Sequence, residues 1–217
     1  MYGNIIVRPG CAPFEALVLA DGNFPTHPVP LAIMARLRDH LLCCDGAADA
    51  LMSAGFMPEV VVGDGDSISP QARERLGNRL VVLREQENND LTKTVHYAVA
   101  QGYRRLCILG ATGKREDHTL GNISLLADYM DMADVEMCTD HGALTPVTGD
   151  AAFESYPGQQ ISVFCLEPLP LTLHGLRWPV TNRTLTRWWQ ASLNEATGNI
   201  FRVETAGKAI VFREYPS

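Results

Sequence analysis

The segment Gly63-Asp64-Gly65-Asp66-Ser67 places two carboxylates on either side of one glycine, directly after the apolar run Glu59–Val62. Carboxylates that close repel unless a proton or a cation sits between them. Paired oxygen donors suit Mg²⁺, which commonly bridges protein carboxylates and substrate phosphates. The plainer alternative is a solvated acidic turn in which Asp66 or Ser67 caps the next helix. A second acidic segment, Glu87-Asn88-Asn89-Asp90-Leu91-Thr92-Lys93, puts Lys93 one helical turn beyond Asp90 and on the same side. Glu87, Asp90 and Lys93 can hold a metal and a phosphate together, or form a capped helix start with a surface ion pair.

Two glycine-bearing segments complete the set. Gly110-Ala111-Thr112-Gly113-Lys114-Arg115-Glu116-Asp117-His118, followed by Gly121-Asn122, leads from an apolar run into a helical pattern. Backbone N–H groups at a helix start favour phosphate, and Arg115 adds a forked cation. The segment is neither a Walker A loop nor a G-x-G-x-x-G fingerprint. Asp117 can accept a proton, orient a substrate group or cap the helix, and His118 can titrate. In Cys44-Asp45-Gly46-Ala47-Ala48, small residues let the backbone approach a ligand, or Asp45 caps the following helix.

These segments need elements to position them. Strands are expected over 14–20, 40–44, 59–62, 80–83, 106–109 and 135–138, and helices over 31–37, 47–54, 69–76, 90–101 and 117–130. Asp90 is the expected N-cap of the 90–101 helix and Gly102 its terminator. The alternation implies a doubly wound, mostly parallel α/β sheet with helices on both faces. In such sheets ligands bind beyond the carboxyl ends of the strands, which is where all four polar segments fall. Carboxylates for Mg²⁺ and a basic glycine loop for phosphate are the equipment of phosphoryl-type transfer from a Mg-nucleotide.

After about Gly142 the helical periodicity fades. Short β-rich runs over 160–166, 171–173, 184–189, 201–205 and 209–212, broken by Pro and Gly, predict a small all-β sandwich. The expected domains are thus an α/β unit over 1–141 and a β-sandwich over 142–217. At least one of Trp178, Trp188 and Trp189 is expected in the sandwich core.

Composition narrows the classes. The 217 residues are 46% hydrophobic and 20% charged, which implies a folded core. The 25 acidic and 18 basic residues leave a net charge of −7, which argues against nucleic-acid binding. No apolar run approaches the ~20 residues of a membrane span. The start MYGNIIVRPG shows no secretory pattern, so a cytoplasmic protein is expected. The six cysteines form no C-x-x-C pair, and reduced thiols, mostly buried, are expected.

As a set, CDGAADAL from Cys44, VVGDGDS from Val61, QENNDLTK from Gln86 and LGATGKREDHTLGN from Leu109 resemble the thiamine pyrophosphokinase (thiamine diphosphokinase) family. Its patterns are an Asp-Gly-rich turn, G-D-x-D-S, D-x-x-D-[FL]-x-K and G-A-x-G-x-R-x-D-H-x-x-x-N. Gly175-Leu176-Arg177-Trp178 and Ser192-Leu193-Asn194-Glu195 resemble its G-L-x-W and S-x-N, so the likeness covers about residues 40–212. It implies a homodimer with active sites between subunits. It also implies transfer of a diphosphate group from ATP to the thiamine hydroxyl, giving thiamine diphosphate and AMP. Asp64, Asp66 and Asp90 match the Mg²⁺-associated positions, with Glu87 where the family usually has Asp. Asp45, Gly46, Gly110, Thr112, Gly113, Arg115, His118 and Asn122 fall to ATP. Asp64, Asp90, Lys93, Arg115 and Asp117 fall to catalysis. Ser192 and Asn194 match the thiamine-pocket motif, and Trp178 offers that cation an aromatic wall. Two further departures are Gly65 in place of Phe or Leu, and Lys114 where Gly is common. Rival readings are another Mg-nucleotide transferase built on Asp64 and Asp66, or a non-catalytic thiamine or nucleotide sensor.

Overall fold

A computed structural model of the protein describes residues 5–216. The first four residues of the start read above therefore lie outside the description. The chain forms two compact units, one over Pro13–Asp140 and one made of residues 5–12 and 141–216. The first strand of the chain, β1 (Ile5–Ile6), belongs to the second unit.

The Pro13–Asp140 unit follows as β2 (Ala16–Leu19), α1 (Pro28–Arg36), β3 (Leu41–Cys44), a 3₁₀ turn over Asp45–Ala47, α2 (Ala48–Ser53) and β4 (Val60–Gly63). Then come α3 (Pro70–Leu76), β5 (Leu80–Val82), α4 (Asp90–Ala100), β6 (Arg105–Leu109), α5 (Glu116–Tyr129) and β7 (Asp134–Cys138). Its strands pair in the order β7-β6-β2-β3-β4-β5, and every pairing is parallel. The central strands β2, β3 and β4 are buried throughout, as unbroken apolar runs in a parallel sheet must be. α2 touches α3, and α4 touches α5. Right-handed crossovers put those two pairs on opposite faces, because the chain reverses direction across the sheet after β5. The reversal leaves a crevice between the carboxyl ends of β2 and β6.

α4 carries the second acidic segment. Its N-cap is Asn89, not Asp90: the Asn89 side-chain Oδ1 accepts from Thr92 N at 2.8 Å. Either residue type caps well, but capping by Asn89 makes Asp90 the first helical residue and frees its carboxylate. Leu91, Val95 and Ala98 are buried, and Gly102 at φ +98° follows the helix end.

The second unit adds β8 (Gly142–Glu154), β9 (Gln160–Cys165), β10 (Pro170–His174), β11 (Val180–Thr184), β12 (Asn194–Glu195) and β13 (Ile200–Glu214). β8 and β13 form a long antiparallel pair, with a register shift between Thr205 and Lys208. Before the shift β13 also pairs with β10; after it, with β9. One strand thus serves two sheet layers, and Val147, Phe153, Ile161, Val163, Leu173, Phe201 and Val211 fill the core they share. The Phe153 and Phe201 rings stack at 4.8 Å.

Four expectations are corrected here. β13 is one strand where two were expected, because a bulge absorbs the Ala206-Gly207 break. β8 was not expected at all, since Gly142, Pro146 and Gly149 interrupt its alternation. The strand expected over 184–189 lies upstream instead, over Val180–Thr184. The Gln190 amide oxygen accepts from Thr186 N and Arg187 N at 2.8 and 2.9 Å and turns the chain into a 3₁₀ helix over Trp188–Ala191. The expectation of a core tryptophan is corrected too: Trp188 and Trp189 are carried by that turn, and with Trp178 all three are exposed, at 55% for Trp178, 48% for Trp188 and 71% for Trp189. All six cysteines are free thiols; Cys11 is exposed, Cys165 half-buried and the rest buried.

Candidate active site

The crevice is a cleft of about 350 Å³ in the Pro13–Asp140 unit. Its lining comes from the ends of successive strands: Asp21 and Gly22 after β2, Asp45 and Gly46 after β3, Ser67 after β4, Asp90 at the start of α4, and Gly113, Arg115, His118 and Asn122 after β6.

Asp45 is 2% exposed. Its carboxylate accepts from Gly46 N at 2.7 Å and Gly65 N at 2.9 Å. Gly63 must be glycine because a Cβ there would collide with that carboxylate. Burial first, and then the Asp90 and Asp64 charges, raise the Asp45 pKa against the opposing N–H bonds. Asp64 accepts from Asp66 N at 3.0 Å. That bond, aided by a hydrogen bond with Asp45 and by the Lys93 charge, holds its pKa below the ordinary value despite partial desolvation. Lys93 is not on the surface. It is 5% exposed, and its Nζ meets Asp90 Oδ1 at 3.0 Å. Burial opposes its charge, yet Asp90, Glu85 and Asp64 together keep its pKa above 10.5.

Asp64 and Asp90 therefore both act on the Asp45 carboxylate and on the buried Lys93 ammonium. Among the described residues, no three His, Cys, Asp or Glu side chains gather as a complete metal cage. Mg²⁺ does not require one; it binds through one or two carboxylates, waters and substrate phosphates. The hard oxygen donors and their excess negative charge fit that ion. Of the expected acidic positions only Asp45 and Asp90 line the cleft; Asp64 and Lys93 sit behind that lining, and Asp66 and Glu87 are exposed outside it. Glu87 contributes its backbone N–H to Glu85 Oε2 at 2.9 Å.

The opposite wall is built from backbone. Gly22 N donates to Gly110 O at 2.5 Å and Asn23 N to Thr112 O at 2.8 Å. Neither Gly22 nor Gly110 has room for a Cβ against the facing carbonyls. Asn122 donates to Ala111 O at 2.9 Å and accepts from Asn89 Nδ2 at 3.2 Å, joining the glycine loop to the start of α4. Further along, the Thr92 and Tyr129 hydroxyls meet at 2.7 Å, so α4 and α5 run side by side from the cleft. Arg115 grips Asp117 through two bonds, and that contact pulls the Asp117 pKa to about 2. Cys44 also lines the cleft, but burial pushes its thiol up to about 12 and keeps it protonated.

Sequence reasoning missed Asp21, Gly22 and Glu85. The first two were legible by the same rule that found the others, because Asp21-Gly22-Asn23 directly follows an apolar strand.

In the second unit, Asn194 is 4% exposed and fully engaged. It accepts from Trp178 N at 3.1 Å and donates to Trp178 O at 2.7 Å. Its geometry is that of a clamp on the Trp178 backbone. The exposed Trp178 ring lies 5.2 Å from the Arg177 guanidinium. Ser192 donates to Trp189 O at 2.7 Å.

Family models match both units: thiamin pyrophosphokinase catalytic domain over residues 34–139, and thiamin pyrophosphokinase substrate-binding domain over 142–212. The chain belongs to the thiamin pyrophosphokinase family. Among curated relatives, rice thiamine pyrophosphokinase 2 is 28% identical over 58% of this chain and 55% of its own length. Thiamine pyrophosphokinase 1 of rice is 27% identical over 88% and 81%. The first alignment thus spans about half of that relative. The fold matches a thiamin pyrophosphokinase family protein from Enterococcus faecalis (TM-score 0.78, 22% identity, 93% of this chain and 99% of that one). It also matches the thiamin pyrophosphokinase from Candida albicans (TM-score 0.78, 18%, covering 98% and 93%). Both glycine-linked departures from the thiamin pyrophosphokinase pattern, Gly65 and Lys114, sit at positive φ, +83° and +59°.

Proposed function

We propose that this chain is a thiamine diphosphokinase, transferring the diphosphoryl group of ATP to the hydroxyl of thiamine to give thiamine diphosphate and AMP. One observation carries the reading. The loops after β2, β3 and β6 and the start of α4 converge on one cleft that pairs a carboxylate group with a glycine-lined, cationic wall.

In this reading Asp45, Gly46, Gly110, Thr112, Gly113, His118 and Asn122 hold ATP, chiefly through backbone N–H groups and the start of α5. Asp64, Asp66 and Asp90 would hold Mg²⁺, with Glu87 acting through water. Mg²⁺, when bound, neutralises triphosphate charge. Lys93, fixed by Asp90, meets charge that builds on the transferred group, and its rigidity means little reorganisation at that moment. Arg115 does the same at the entrance to α5, held in orientation by Asp117. Asp117, with a pKa of about 2, is a poor proton acceptor. Asp64 is held below the ordinary value as well, so either carboxylate takes the hydroxyl proton only as it departs, late in a loose transition state. Trp178 is the aromatic wall for the thiamine cation, Asn194 positions it, and Ser192 lies beside them in sequence. A homodimer in the cytoplasm completes the reading, supported by the family resemblance and by the exposed indoles.

The test is incubation with thiamine, ATP and Mg²⁺, separating thiamine mono- and diphosphate and AMP and ADP. Thiamine diphosphate with equimolar AMP is expected. Thiamine monophosphate with ADP would overturn diphosphoryl transfer. Binding without any product would favour a sensor.

A further inference from the structure

We infer that Arg73 is a positioning residue for the acidic turn, and that Gly65 is the vacancy that admits it. The inference rests on the reading of Asp64 and Asp66 as metal-associated.

The turn between Asp64 and Asp66 is pinned from two sides. From inside the fold, Asp45 Oδ2 accepts from Gly65 N at 2.9 Å. From the other side, Arg73 Nη2 donates to the Gly65 carbonyl oxygen. The peptide planes before and after the Gly65 Cα are therefore both fixed. Arg73 has a stable base for this reach. α3 starts at Ser69, whose Oγ accepts from Ala72 N at 3.1 Å, and Ser69 N donates to Asp49 Oδ2 at 3.0 Å. Arg73 stands one turn later on the same helix, and its own N–H bonds Ser69 O at 2.9 Å.

Gly65 and Arg73 require each other. The Gly65 φ of +83° is open to glycine and costly for a residue with a Cβ. A Cβ built there would lie 3.0 Å from Arg73 Nη2, 3.6 Å from Nη1 and 3.7 Å from Cζ. The guanidinium occupies the space that a side chain at 65 would take. A larger residue at that position displaces it, and the carbonyl loses its donor. A guanidinium is suited to this place because it makes a directed, charge-assisted bond to the peptide between the two carboxylates. Its effect is to hold the two carboxylates at one separation before any cation arrives, which lowers the reorganisation needed for binding.

The experiment compares wild type, Arg73→Ala, Arg73→Lys, Gly65→Ala and the Gly65→Ala/Arg73→Ala double variant. The first readout is amide hydrogen exchange over residues 60–68 in metal-free protein; the second is the Mg²⁺ concentration for half-maximal turnover. Arg73→Ala is expected to speed exchange at Gly65 and Asp66 by about tenfold. It should raise the half-saturating Mg²⁺ about fivefold, with kcat regained at high Mg²⁺, and Arg73→Lys should restore part of both. The double variant should be little worse than Gly65→Ala alone, because both carry the strain of an alanine at φ +83° and the contact is lost only once. Unchanged exchange and a Mg²⁺ response within twofold of wild type would overturn the assignment, as would fully additive effects. If wild type makes no thiamine diphosphate, the functional reading fails, and exchange in metal-free protein alone decides the role of Arg73.

Discussion

Replacing Lys93 with Met separates charge from packing behind the Asp90 wall of the cleft. The side chain is 5% exposed and its stem is packed, so Met keeps nearly the same volume. The change removes one ion pair, with Asp90 Oδ1 at 3.0 Å. Removing one partner of a fully buried pair costs about 3–5 kcal/mol, but the Asp90 side chain is 37% exposed and water can replace the ammonium. Discounted for that screening, the loss is about 1–2 kcal/mol. Against it stands the desolvation of the ammonium itself, of similar size, which Met does not incur. Net stability in urea should therefore move by no more than about 1 kcal/mol. Turnover should not survive so well, because a preorganised donor aimed at developing charge is worth about a hundredfold to a thousandfold. The assay is kcat for thiamine diphosphate formation beside urea unfolding of the same preparation. A folded Lys93→Met protein within threefold of wild-type turnover would refute the reasoning. Lys93→Ala is the control: it should lose about 2 kcal/mol more from the vacated stem.

Asp64→Asn and Asp90→Asn should each nearly abolish turnover while circular dichroism and unfolding remain near wild type; near-normal activity in either would remove it from the metal site. Lys114→Gly should raise stability by about 0.5–1 kcal/mol, since relieving a φ of +59° outweighs an exposed ion pair with Asp21, and thermal unfolding checks it. Because Arg115 lowers the Asp117 pKa, that carboxylate stabilises the fold above its ordinary pKa, and the contribution is lost as pH falls through about 2. NMR titration should show the Asp117 pKa return toward 3.8 in Arg115→Ala. Trp178→Ala should raise the thiamine KM with little loss of stability. Asn194→Ala should raise KM too and cost about 1 kcal/mol, because it removes both hydrogen bonds to the part-buried Trp178 backbone.

The α/β half was legible because its strands are unbroken apolar runs, and each ends in a polar segment. Val60–Gly63 followed by Asp64 needs no tertiary information to be read as a strand delivering a carboxylate to one edge. What the sequence could not show was which carboxylates would meet. Asp66 and Glu87 carry the same chemistry as Asp64 and Asp90, yet they are exposed, because the Gly65 turn and the Asn89 cap decide the directions. Lys93 reads as a surface residue by type, and only packing of α4 against β2, β3 and β4 buries it. The β half was harder. Proline and glycine inside β8 imitate loop punctuation, and the Trp188-Trp189 pair imitates a core strand when it forms a 3₁₀ turn.

The first strand of the chain has its partner far downstream. Ile5 and Ile6 pair with Ala152 and Phe153 of β8, and the Val7 carbonyl accepts from the buried Arg213 guanidinium at 2.7 Å. The second unit is therefore sewn from both ends of the chain, with the Pro13–Asp140 unit as an insertion between its pieces. During synthesis the inserted unit is complete while its host still waits for most of its strands, so the two halves mature in a set order. A fragment starting at residue 141 would lack β1 and deprive Arg213 of an acceptor it uses in the intact chain. Dissecting this protein into working parts requires carrying the opening dozen residues with the closing ones.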